Sequence, residues 1–123
     1  MYSDLSDIEA LLRTSLEKHI PTLRKSKESD KGLEVCGTFP VMQGRQKVDG
    51  HYFASVVPKP KDIRLYFFPI YTHADQFILS EELNKMLKGK SCFHIKKLDD
   101  ELAAEIQSMI DLGVKLYRDD KLI

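Results

Sequence analysis

Hydrophobic and polar positions alternate most clearly between His51 and Pro69, HYFASVVPKPKDIRLYFFP. Two runs rich in β-branched and aromatic residues flank the breaker cluster Pro58-Lys59-Pro60-Lys61-Asp62, which predicts a β-hairpin. Ile63, Leu65 and Phe67 fall on one face of the second run and Arg64, Tyr66 and Phe68 on the other, because successive side chains of a strand point to opposite sides. The first set is wholly apolar. The second is amphipathic, so one sheet face is expected under helices and the other partly open, with aromatic rings at its surface.

Upstream, Leu5, Ile8, Leu11, Leu12 and Leu16 recur at helical spacing. Ser6-Asp7-Ile8-Glu9 fits a capping box that starts this helix near Ser6, with Ser3 as the alternative. Pro21 ends or kinks it, since the residue before a proline disfavours the helical region. Residues 24–32 carry charges without apolar periodicity and read as an exposed connection. Leu33, Val35, Gly37 and Phe39 then alternate with Glu34, Cys36 and Thr38 as a strand ended by Pro40. Asp49-Gly50 suits a tight hairpin turn, pairing Gln46 to Val48 against the strand that begins at His51.

Downstream, Ala74 to Leu79 predicts a turn of helix. Ser80 caps a short helix with Leu83, Met86 and Leu87 buried and Gly89 as its stop. Ser91 to Ile95 alternates as a final strand with Phe93 and Ile95 inward and Cys92 and His94 outward. Asp99 caps the last helix, with Leu98 as a staple and Leu102, Ile106, Met109, Ile110, Gly113, Leu116 and Tyr117 as its stripe. Glycine inside a helix costs about 1 kcal/mol against alanine, so Gly113 predicts a close approach to the sheet. The expected fold is a single α+β domain of two layers. A four- to five-stranded antiparallel sheet carries the amino- and carboxy-terminal helices on one face.

Composition narrows the function classes. The 123 residues include 19 basic and 19 acidic side chains, a net charge of zero, so there is no global footprint for nucleic acid or anionic lipid. No stretch approaches the roughly 18 apolar residues of a membrane span. The acidic start MYSDLSDIEA lacks the pattern of a secretory signal, which predicts a cytoplasmic protein with Cys36 and Cys92 as free thiols.

The segment from Phe39-Pro40 through HYFASVVPKPKDIRLYFFP to LNKMLKGKSCFHIKKLDDELAAEIQSMIDLGVKLY resembles the YdhG-like family, a domain of unknown function. The Gly89-Lys90-Ser91-Cys92-Phe93 run before a strand, and Ile95 to Leu98 leading into the last helix, carry it most specifically. The likeness covers about Leu33 to Tyr117. It implies a small bacterial cytosolic α+β domain similar in fold to frataxins, some of whose relatives are described as intracellular iron chaperones. The amino-terminal part departs from the family's longer pattern of two helical segments separated by a proline.

On the frataxin analogy, Asp4, Asp7, Glu9 and Glu17, with Glu28 and Asp30, would hold iron weakly through surface oxygens. Acids early in a helix are equally explained by its dipole. Cys92-x-His94 puts a thiol and an imidazole on one strand face, with His51, His73 or Cys36 as further ligands for a transition metal. Tyr66, Phe68, Tyr71 and His73, near Arg64 and Arg45, would line a concave aromatic surface for a small anion or a peptide, or a homodimer contact. No spacing selects a nucleophile with its base. The expected role is therefore non-enzymatic, a binding or carrier protein with iron as its candidate cargo.

Overall fold

A computed structural model describes residues 4–39, 41–43, 46–48 and 50–123; for 41–43 and 46–48 the backbone alone is described. Ser3, Pro40, Arg45 and Asp49, named above as alternative cap, strand end, anion partner and turn residue, lie outside these residues.

The chain runs α1 (Leu5–Glu17), β1 (Arg24–Ser29), β2 (Gly32–Cys36), β3 (Val41–Gln43), β4 (Gln46–Val48), β5 (Tyr52–Pro58), β6 (Ile63–Phe67), α2 (Pro69–Thr72), a 3-10 turn (Ala74–Gln76), α3 (Glu81–Met86), β7 (Cys92–Ile95) and α4 (Asp100–Asp119). Five strands form an antiparallel sheet in the order β1-β2-β5-β6-β7, and β3 and β4 form a separate two-stranded ribbon. The fold class read from the sequence is the one observed: α+β, with the terminal helices packed on one face of this sheet.

Alternation fixes that face. Ile63, Leu65 and Phe67 of β6 and Phe93 and Ile95 of β7 are buried and pair across the strands, while Arg64, Tyr66, Cys92 and His94 are only partly covered. From the helical side Ile8, Leu12 and Leu16 of α1 and Ile106, Ile110 and Tyr117 of α4 complete the core with no exposed surface. Asp99 caps α4 through the Leu102 amide at 2.8 Å, and Ser80 caps α3 through that of Leu83 at 3.2 Å.

A bulge in β5 makes room for an extra aromatic. Val35 pairs with Ala54 and Cys36 with Tyr52, leaving Phe53 between them without a partner on β2. Phe53 and Ala54 therefore both turn into the core, a local twist that an added residue allows. The Phe53 ring meets Phe67 and Tyr117 edge-on at 5.5 and 5.0 Å between centroids. Gly113 of α4 lies over this aromatic layer. A Cβ there would sit 2.6 Å from Phe67 Cζ, so the close approach inferred from the sequence is present.

Four local expectations are corrected. The cap of α1 is Asp4, whose carboxylate accepts from the Ser6 amide at 3.0 Å. Residues 24–29 are not a connection but edge strand β1. Nearly all its side chains are exposed, so no apolar alternation marks it, and its Lys25 pairs with Glu28 at 2.9 Å. Charged side chains are the usual protection of a sheet edge. The predicted strand 33–39 ends at Cys36, and Phe39 is 51% exposed. There the carboxy-terminal tail replaces a strand partner, the Leu122 carbonyl accepting from the amides of Thr38 and Phe39. Finally, β4 pairs with β3 and not with β5, whose two edges are taken by β2 and β6.

Candidate functional site

The open face of the sheet is built by register. Glu34, Ser55, Tyr66 and Cys92 form one row across β2, β5, β6 and β7; Val57, Arg64 and His94 form the next. Beside the first row the Tyr52 hydroxyl meets Ser55 Oγ at 2.7 Å. Burial pushes the Cys92 thiol up, with the Tyr66 hydroxyl and the Arg64 charge pulling it partly back. A thiol so placed stays protonated near neutrality and is a poor nucleophile. Cys36, also a free thiol, lies three strands away, too far for a disulfide at about 4.8 Å per strand.

The second row ends at the β5–β6 loop, where several cations gather around one carboxylate. Pro58 and Pro60 restrict the loop, and the Lys59 amide donates to the Asp62 carbonyl at 2.8 Å, closing the turn. Asp62 is only 6% exposed. Its Oδ1 accepts from Arg64 Nε at 3.3 Å and its Oδ2 lies 3.7 Å from His94 Nδ1. The buried carboxylate thus hydrogen-bonds Arg64 and faces His94, two of the side chains singled out from the sequence. Around it Lys59, Lys61, Arg64 and Lys96 border a depression of about 400 Å³. Among the described residues the three lysines make no ion pair. Four cations therefore surround one carboxylate that is already engaged.

Arg64, Tyr66, Cys92 and His94 are brought together. Phe68 and Tyr71 contact each other away from that row, and His73 turns to the tail. Phe68 turns helical at the start of α2 and packs against His51, Tyr52 and Tyr71 at 5.5–5.7 Å. His73 pins the tail, with Nε2 2.7 Å from Asp120 and Nδ1 2.8 Å from Thr72 Oγ1. Tyr71 borders a separate groove. Of the expected aromatic surface, Phe68 and Tyr71 thus stay in contact, while Tyr66 lies in the row with Cys92 and His73 faces Asp120.

The suggested iron ligands are likewise split. Asp4 caps α1 and Asp7 and Glu9 lie in it, on the covered side of the sheet, and Cys92 and His94 belong to the open side. Asp4 is committed as the cap, which lowers its pKa through the Ser6 amide and hydroxyl, and Glu9 pairs with Arg13 at 2.9 Å. Among the described residues no three or more His, Cys, Asp or Glu side chains form a group suited to a metal ion. Asp62, Lys59, Lys61 and Lys96 escaped the sequence reading. Only the register Ile63↔Ile95 brings the loop against Lys96, and the lysines read as punctuation between strands.

Two covered phenols, Tyr52 by the open face and Tyr117 in the core, set an alkaline limit. Burial pushes Tyr52 up to about 12, and burial raises Tyr117, whose hydroxyl donates to the Tyr52 carbonyl. In the unfolded chain a tyrosine ionises near 10. From about pH 10 to about 12 the unfolded state therefore binds fewer protons, and stability falls as pH rises. The urea midpoint should stay level from about pH 7 to 9 and drop above about 10, less steeply in Tyr52→Phe. A midpoint unchanged to about pH 11.5 would contradict this burial.

Comparison of the chain with protein-family models, curated proteins and solved structures found no match.

Proposed function

We propose that the protein is a non-enzymatic binding protein that takes a small phosphate-like anion at the hairpin end of its open sheet face. The observation that carries this reading is the excess of cations over carboxylates around Asp62. Asp62 is buried, accepts from Arg64 and lies 3.7 Å from His94. Lys59, Lys61 and Lys96 remain available as point charges, the role for which an ammonium on a flexible stem is suited. An oxyanion in the depression gains attraction from several exposed cations at once, and their contributions add. An iron-carrier role has less geometric support, since the acidic residues of α1 are partly occupied by its cap and by Arg13.

Calorimetric titration with inorganic pyrophosphate at low ionic strength tests the reading. Saturable binding is expected, weakening with added salt as exposed charges are screened. Replacing Lys59, Lys61 and Lys96 together by glutamine should weaken it at least about tenfold. Undiminished affinity in that variant would overturn the assignment.

A further inference from the structure

The other side of the β6–β7 region carries a second, chemically different concavity. It lies among α2, the 3-10 turn and α3, encloses about 520 Å³, and is walled by Ile70, Phe77 and Leu87 with Tyr71, Asn84 and Lys90 at its polar points. That volume falls in the usual range of small-molecule sites, roughly 300–1,000 Å³, which are mostly apolar with a few convergent polar groups.

The walls are fixed by contacts outside the groove. Glu105 of α4 accepts from both the Ser80 amide and its hydroxyl, at 2.8 and 2.6 Å, anchoring the start of α3. Beyond α3 the chain is tied to the sheet by the Lys88 amide to the Cys92 carbonyl and the Phe67 amide to the Ser91 carbonyl, both 2.8 Å. Gly89, at φ +91°, makes the turn between these anchors, a conformation glycine adopts without strain. Lys90 follows it, and its Nζ stands 5.3 Å from the centroid of the Tyr71 ring. Among the described residues Lys90 has no carboxylate partner, and the Asn84 side-chain amide makes no hydrogen bond. An apolar trough thus carries in its lining both an unneutralised cation and an open amide donor.

We propose that this groove binds an amphipathic organic acid. Its aliphatic or aromatic body would lie against Ile70, Phe77 and Leu87, and its carboxylate would meet Lys90 and the Asn84 amide. The site is independent of the cationic depression around Asp62. Apolar walls favour a body that phosphate lacks, and a single cation suits a single carboxylate.

Decanoate below its micellar concentration is the probe, followed by amide chemical shifts of the full chain, with decanol as its uncharged counterpart. Decanoate should saturate shifts in residues 70–79 and 84–90, and decanol should bind at least about tenfold more weakly. Lys90→Gln should reduce decanoate to the level of decanol while leaving decanol unchanged, and pyrophosphate should not displace decanoate. Equal affinity for acid and alcohol, or a preference for the acid surviving in Lys90→Gln, would overturn the proposal. So would a second copy of the chain occupying the groove. Ile78, 97% exposed beside Phe77, is the point through which it would dock. Sedimentation would then show a dimer that Ile78→Asp dissociates, with the groove shifts depending on protein concentration.

Discussion

Truncating Phe67 to alanine is expected to destabilise the protein by about 3–5 kcal/mol, the range for removing a fully buried phenylalanine. The ring has no exposed surface and stands between Phe53, at 5.5 Å and 86°, and Phe77, at 5.6 Å and 86°. Its far side meets Gly113 of α4, so both layers and the segment after α2 converge on it. Part of the cost is lost transfer energy and part is the cavity left among neighbours that other contacts hold in place. Urea unfolding at neutral pH gives the difference directly. Phe39→Ala is the control: that ring is half exposed, and changes at such surface sites are usually within about 0.5 kcal/mol. A loss below about 1 kcal/mol at Phe67 would show that the aromatic layer is not the centre of the core.

Gly113→Ala should reverse the sign that helix propensity alone gives. In an exposed helix the change stabilises by about 1 kcal/mol. Here the new methyl would lie 2.6 Å from Phe67 Cζ, 3.1 Å from Phe67 Cε1 and 3.2 Å from Phe53 Cε1. Both rings are buried, so relief requires α4 to lift or the rings to leave their rotamers. Overpacking of this kind costs about 1–3 kcal/mol. In a Phe67→Leu background the two closest contacts are relieved and only the 3.2 Å approach to Phe53 Cε1 remains, so the alanine should cost much less than in the parent chain. The two changes would then be strongly non-additive, as expected for residues in contact. Additive effects would place Gly113 away from the sheet.

What the chain discloses depends on whether a residue's neighbours are local or distant. The last helix was legible in detail because its determinants are local: Asp99 as the cap, Leu98 before it, and a stripe whose one glycine marks the contact with Phe67. The hairpin was legible because β5 and β6 pair across a short loop with apolar alternation on β6. Strand β1 was not, because an edge strand wet on both faces has no period to detect. The cap of α1 slipped by two residues where Asp4 and Ser6 offer competing oxygens. Ser6 in fact donates its hydroxyl to the Asp4 carboxylate at 2.9 Å.

The candidate site was half legible for the same reason. Arg64 and His94 stood out by type, and alternation placed both on the open face. Their approach to Asp62, and the arrival of Lys96 beside Lys59 and Lys61, depend on pairing β6 with β7 across the 24 residues, 68–91, between them. Phe68, Tyr71 and His73 fall out of line with Arg64 and Tyr66 because Pro69 starts a helix immediately after Phe68 and ends the alternation, although Phe68 and Tyr71 keep ring contact.

The most direct test of the anion reading is residue-resolved. In a titration of the isotope-labelled protein with pyrophosphate, amide shifts that saturate together are expected at 59–64 and 94–96, with 4–9 and 68–73 unmoved. Saturable shifts centred on α1, or none that saturate at the β5–β6 loop, would contradict it.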